Sequence, residues 1–170
     1  LQRWTKLLNA GYRIAISSGR DWHLLGKEPQ HPHLGVTYLG ISGPIHTGTV
    51  QEALRAGRSY VTAGPTFEFA FQKEERAYGL GETISPGSCL LLVQVNEDSR
   101  RQCWQDFGIQ TKQVRLIHNG EAILTKDCNG SAVLSDLVEL SPGWTRLELY
   151  GDYREQTYVM LACSSPIYVE

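Results

Sequence analysis

The sequence predicts a chain in two parts: a mixed α/β piece over residues 1–72, then an all-β sandwich of immunoglobulin-like topology over residues 73–170. Three observations carry this. Trp4, Leu7 and Leu8 recur at helical spacing near the start. Thr49-x-x-Glu52 reads as a capping box opening a second helix. From Leu90 onward the pattern becomes short alternating stretches broken by turn signals such as Asn119-Gly120.

Each element follows in order. A first helix spans residues 2–9, and Gly11 suits its stop. Residues 12–16, Tyr-Arg-Ile-Ala-Ile, read as a strand that breaks at Gly19. The second helix runs from Thr49 through Ala56, and Gly57 closes it. Residues 58–63 form a strand ended by Gly64-Pro65. Over residues 66–71, Phe67, Phe69 and Phe71 share one face. Lys73-Glu74-Glu75-Arg76 is a charged connection between the two parts. Strands follow at residues 90–95, 114–117, 122–124, 147–149 and 158–163, with turns at Asn119-Gly120, Pro142-Gly143 and Gly151-Asp152.

Composition narrows the classes. The chain has 170 residues, 41% hydrophobic and 20% charged, with formal net charge −2, which is ordinary for a globular protein. No basic run or basic-aromatic stripe points to nucleic acid. No apolar run approaches membrane-spanning length, so no membrane partner is expected. No signal peptide is visible, which says little about export, and the compartment stays open with the cytoplasm slightly favoured. Cys89, Cys103, Cys128 and Cys163 show no C-x-x-C spacing, so reduced thiols are expected rather than a zinc site. The one methionine is Met160 and the chain opens on Leu1, so the sequence reads as a fragment. The pattern does not fix an oligomeric state.

Chemistry concentrates in Ser17-Ser18-Gly19-Arg20-Asp21-Trp22-His23. In an extended segment residues i and i+2 point the same way. The Asp21 carboxylate and the His23 imidazole would then face one point, as a hard or borderline divalent ion requires. A D-x-H alone also occurs in ordinary surface turns. Trp22 would point the opposite way and pack. Arg20 could bind an anionic group, since guanidinium matches phosphate or carboxylate bidentately, or could crowd a metal. His31-Pro32-His33 reads as a surface or rim loop, and His46 as a structural residue before the second helix.

Gly-x-Asp-x-His after a strand resembles the last metal motif of the PHP (polymerase and histidinol phosphatase) metallohydrolases. The likeness extends over Val50-Gln51-Glu52-Ala53-Leu54-Arg55-Ala56-Gly57-Arg58-Ser59-Tyr60 into Val61-Thr62-Ala63-Gly64-Pro65. This is similar to the helix, Gly-Arg and Y-V-T-x-G-P strand of the carbaryl-hydrolase-like branch (CehA/McbA-type). The resemblance covers residues 1–70 and implies that the α/β piece is the last strand and helix units of a PHP-type β/α barrel. It implies Asp21 and His23 as catalytic metal ligands; where members often carry a small residue this chain has Arg20, a departure that could bind the substrate's anionic group or crowd the metal. The implied cofactors are divalent ions, Zn, Mn or Fe. The implied reaction is hydrolysis of a small-molecule phosphoester, or of a related ester or carbamate, by metal-activated water. Members of the family carry an H-x-H motif and further ligands ahead of this one. Those are not in this sequence, so the isolated chain is expected to be inactive.

The competing reading is a non-catalytic binding or interaction module. On that view the β part does the work, with Tyr150, Tyr153, Tyr158 and Tyr168 as candidates for a carbohydrate-binding face.

Overall fold

Alternation at period two builds most of this molecule. Phe67, Phe69 and Phe71 are buried, whereas Glu68 between them and Gln72 after them are exposed. The same alternation puts Cys89, Leu91, Val93 and Val95 inside. The computed structural model describes residues 1–18, 35–97, 108–153 and 155–170. In chain order the elements are α1 (Gln2–Asn9), β1 (Val36–Leu39), α2 (Thr47–Arg55), β2 (Ser59–Thr62), β3 (Thr66–Lys73), β4 (Arg76–Tyr78) and β5 (Thr83–Ile84). They continue as β6 (Gly87–Asn96), β7 (Gln110–His118), β8 (Glu121–Asp127), β9 (Ala132–Leu140), β10 (Gly143–Tyr153), β11 (Gln156–Ser164) and β12 (Ile167–Val169).

These strands form two sheets. The larger centres on β10, which pairs with β7 on one edge and with β12 and β11 on the other. The sheet extends through β8 beyond β7, through β2 and β1 beyond β11, and through β5 beyond β12. The smaller sheet runs β4-β3-β6-β9. Phe67, Phe69, Phe71, Leu91 and Val93 of the small sheet meet Val114, Leu116, Leu147, Leu149 and Ile167 of the large one in a single core. Each such side chain contributes about 1.5–3 kcal/mol when fully buried.

The expected α/β barrel fragment is not there. Among the described residues there are only two short helices, and β1, β2 and β3 join the sandwich. α2 connects β1 to β2, but these pair antiparallel, Val36 opposite Thr62 and Leu39 opposite Ser59. A barrel unit would need a crossover to a parallel strand. β2 pairs antiparallel with β11, and β3 along most of its length with β6, so residues either side of 72/73 share both sheets. Helical periodicity marks α1 correctly and carries no information about strand direction. The immunoglobulin-like topology is also replaced. Among the described residues the sheets have eight and four strands, and β12 pairs with β5 in parallel.

Smaller differences have local causes. Lys73 to Arg76 is a β-hairpin turn between β3 and β4, with Glu74 at φ 56°. α2 starts two residues before Thr49. Its N-cap is His46, whose side chain accepts from the Thr49 backbone N–H while the Thr49 hydroxyl accepts from the His46 N–H. The box is therefore His46/Thr49 and not Thr49/Glu52. Gly151 and Asp152 lie inside β10, at a bulge, rather than in a turn. Gly151 allows the close approach: a Cβ there would meet the Gln110 carbonyl oxygen. The Asn119-Gly120 hairpin forms as read, both residues at positive φ, 52° and 99°.

Candidate functional site

The sequence-derived site residues Asp21, His23 and Arg20 lie outside the described residues, as do Trp22, His31 and His33. The chain on both sides of them is described. Residues 12–16, expected as a strand, belong to neither sheet. The backbone groups of Ile16 and Ser18 are met by side-chain hydroxyls instead.

Two hydrogen-bonded rings do this. The Ile16 N–H donates to Ser165 Oγ at 3.0 Å, and Ser59 Oγ donates to the Ile16 carbonyl at 2.7 Å. The two serine oxygens are 2.8 Å apart. Each hydroxyl has one proton and Ser59 spends its own on Ile16, so Ser165 donates to Ser59 and the ring closes. Both serines are fully buried. Two residues on, the Ser18 N–H donates to Thr37 Oγ1 at 2.8 Å, and Thr37 Oγ1 lies 3.2 Å from the Ser18 carbonyl as donor. An antiparallel neighbour would satisfy both groups of every second residue in this way. Here Ser165, Ser59 and Thr37 stand in for that neighbour.

The far side of the segment returns to the same point. Ser18 Oγ donates to the Gly35 carbonyl at 3.1 Å. Gly35 has no room for a side chain: a Cβ would lie 2.6 Å from Val61 Cγ1 and 3.2 Å from Ser18 Oγ. Residues 18 and 35 are thus joined beside β1 and β2. A cavity of about 180 Å³ lies alongside, its walls including Ile16, Ser18, Gly35, Val61 and Met160.

Other candidate chemistry is structurally committed. Among the described residues no three His, Cys, Asp or Glu side chains gather as a metal site. His46 caps α2. His118 Nε2 lies 2.9 Å from Ser141 Oγ, and burial lowers its pKa below the ordinary value near 6.5. Cys89, Cys128 and Cys163 are free thiols. Burial pushes all three upward, Cys163 to about 12, so none is poised as a nucleophile. Cys103 lies outside the described residues. Of the four tyrosines, Tyr153 is in the core, whereas Tyr150 and Tyr168 carry the guanidiniums of Arg115 and Arg13 over their rings at 4.2 and 4.3 Å. Tyr158 is exposed, at φ 56°.

Sequence reading missed one charged cluster. Arg146, Glu148 and Tyr150 alternate along β10 on the face turned away from the core. Glu148 Oε1 accepts from Arg146 Nε at 2.7 Å, and Glu148 Oε2 from the Tyr150 hydroxyl at 3.0 Å. Arg146 also donates to Thr5 of α1 at 3.0 Å, with its guanidinium 5.1 Å from the rings of both Trp4 and Trp144. The alternation of Leu147 and Leu149 with charges was the available signal, and it reads as an ordinary solvent face. Comparison of the chain with family models, curated proteins and solved structures gives no match.

Proposed function

We propose that this chain contributes Asp21 and His23 to a divalent-metal centre that hydrolyses phosphoesters or related ester or carbamate bonds. The reading rests on the PHP-like run Gly19-Arg20-Asp21-Trp22-His23 and the helix and Gly-Arg-strand sequence after it. One observation supports it above others: Ser18 and Gly35, which bracket that run, are pinned to each other and to Thr37. A segment whose ends are held together on the scaffold is where functional side chains are commonly carried.

The donor set suits Zn, Mn or Fe, pairing a carboxylate oxygen with an imidazole nitrogen. Bound there, such an ion would supply a water of lowered pKa and polarise the scissile oxygen. Asp21 would hold the proton of the attacking water. His23 would ligate as neutral imidazole, its other nitrogen fixed by an acceptor. Arg20 would bind the anionic part of the substrate.

Titration of the 170-residue chain with Mn²⁺, followed by the loss of the free-ion EPR signal, tests this reading. A saturable site is expected, lost in Asp21→Asn and in His23→Ala with the circular dichroism unchanged. Equal Mn²⁺ binding by both variants and the wild type would overturn it. A catalytic zinc takes about three protein ligands, so the chain alone is expected to give no turnover of p-nitrophenyl phosphate.

A further inference from the structure

Among the described residues Arg13, Arg76, Arg115 and Arg146 each lie over an aromatic ring. Three of them also hold a carboxylate: Arg13 with Glu170 at 2.7 Å, Arg76 with Glu82 at 3.1 Å and Arg146 with Glu148 at 2.7 Å. Arg115 is the exception. Its guanidinium carbon sits 4.2 Å from the centre of the Tyr150 ring, and its Nε donates to Gln113 Oε1. Gln113 is fixed in turn, its Nε2 donating to Asp127 Oδ1 at 2.9 Å. Neither Nη of Arg115 has an acceptor among the described residues.

The acid that faces Arg115 across the sheet is already taken. Glu148 stands opposite it in register. Glu148 Oε1 accepts from Arg146, and Oε2 accepts from the Tyr150 hydroxyl. Burial pushes the Tyr150 phenol up to about 12, so it remains a donor at neutral pH. Tyr150 is also part of the wall of an open cleft of about 420 Å³ between α1 and the outer face of β7 and β10, together with Thr5, Lys6, Ile117 and Arg146. Lys6 likewise has no ion pair among the described residues.

We propose that Arg115, held flat on Tyr150 beside this cleft, anchors a binding site for an oxyanion: a carboxylate or a phosphate group. A guanidinium presents its donors as a rigid fork that matches two oxygens of either group. A free arginine side chain gives up rotamer freedom when it binds. Stacking on Tyr150 and the bond to Gln113 have already ordered this one, so less is lost when an anion arrives. Lys6 adds a second positive charge to the cleft, and Glu148 is neutralised by Arg146. Nothing in this site rests on Asp21 or His23.

NMR titration of the full 170-residue chain tests it, with inorganic phosphate in one series and acetate in another, at constant ionic strength. The Arg115 Nε–Hε signal should shift and saturate, whereas that of Arg76, already held by Glu82, should not. Saturation by phosphate alone assigns the site to phosphate-bearing ligands, by acetate alone to carboxylates, and by both to oxyanions in general; each outcome supports the site. Arg115→Lys keeps the charge and loses the fork. It should weaken binding about tenfold, the contribution of one charge-assisted hydrogen bond. Arg115→Gln, followed through the Tyr150 amide, should abolish saturation. Saturation by neither anion in the wild type would overturn the proposal. So would equal weakening in Arg76→Gln and Arg115→Gln, because the anion would then be drawn by net charge alone. If Arg115→Gln perturbs the whole spectrum, Arg115→Lys decides, and wild-type affinity in that variant would sink the fork.

Discussion

The outer faces of the two sheets reverse the usual rule about what is buried. On the larger sheet, Arg146 and Glu148 point away from the core, yet their side chains are each only 5% exposed. On the smaller sheet, Val133 and Leu137 of β9 point away from the core and are 78% and 75% exposed. The difference is what lies on top. α1 covers the first face, through Trp4, Thr5 and Leu8, and Leu8 packs with Ile117, Trp144 and Tyr168 in a second small core. No described element covers β9 on that side. Residue type alone thus decides neither face: a helix makes a polar stripe interior, and its absence leaves an apolar one in water.

The comparison breaks first, and hardest, at Arg146. Arg146→Ala would leave the Glu148 carboxylate buried without its guanidinium partner. Removing one member of a buried pair costs about 3–5 kcal/mol. Urea unfolding should show a loss of that size with little change in m-value. The double change Arg146→Met with Glu148→Leu should recover most of it, because the desolvation of two charges disappears with them. A loss below about 1 kcal/mol for the alanine variant, the range of an exposed pair, would mean that α1 does not shield the face.

Thr5 tests the cover itself. Thr5→Val keeps the volume and removes the acceptor of the Arg146 Nη1 donation. A hydrogen bond to a charged group is worth about 1.5–3 kcal/mol at most, and water can reach the edge of α1, so a loss of about 1–2 kcal/mol is expected. Amide exchange in α1 should quicken while that in β6 and β9 stays unchanged. Equal effects on both sheets would show that α1 is not a separate cover.

How much of this was legible in the sequence depends on whether the signal was local. The phenylalanine alternation of β3, the Asn119-Gly120 hairpin and the α1 helix are written in neighbouring residues, and the chain adopts them as read. The antiparallel pairing of β1 with β2 is not local, and the α/β barrel expectation failed on that point. Residues 12–16 have a strand-like pattern but join neither sheet among the described residues. Ser165 is far away in sequence, and nothing in the pattern marks it as the acceptor for Ile16. Burial of Arg146 likewise depends on a helix at the opposite end of the chain. The Asp21/His23 pair was legible only as a motif, since both residues lie outside those described.

His118 gives a smaller effect with a defined sign. Burial lowers its pKa below the ordinary 6.5, outweighing the Trp144 backbone, which raises it. Its unfolded form therefore takes up a proton at a pH where the folded form does not. Stability should be complete above about pH 6.5 and fall as the pH drops below that value, until the folded pKa is passed. His118→Gln, which retains a hydrogen-bonding group toward Ser141, should flatten this part of the profile between pH 7 and 5. An unchanged slope in that variant would assign the acid sensitivity to other groups.

The smallest effect belongs to the smaller sheet, and it is the sharpest contrast with Arg146. Leu137 is large, apolar and central in β9, opposite Leu90 of β6. Judged by residue type, Leu137→Thr should cost as much as a core truncation, about 2–5 kcal/mol. Judged by its 75% exposure, there is little burial to lose, and threonine suits a strand at least as well. The expected change is within about 0.5 kcal/mol, as for surface substitutions generally. Chemical denaturation of Leu137→Thr beside Arg146→Ala would then show the charged residue outweighing the leucine by several-fold. A large loss at Leu137, growing with protein concentration, would mean instead that this face is covered in solution by association. The asymmetry between the two sheets would then be one between a cover supplied within the chain and a cover supplied by a second molecule.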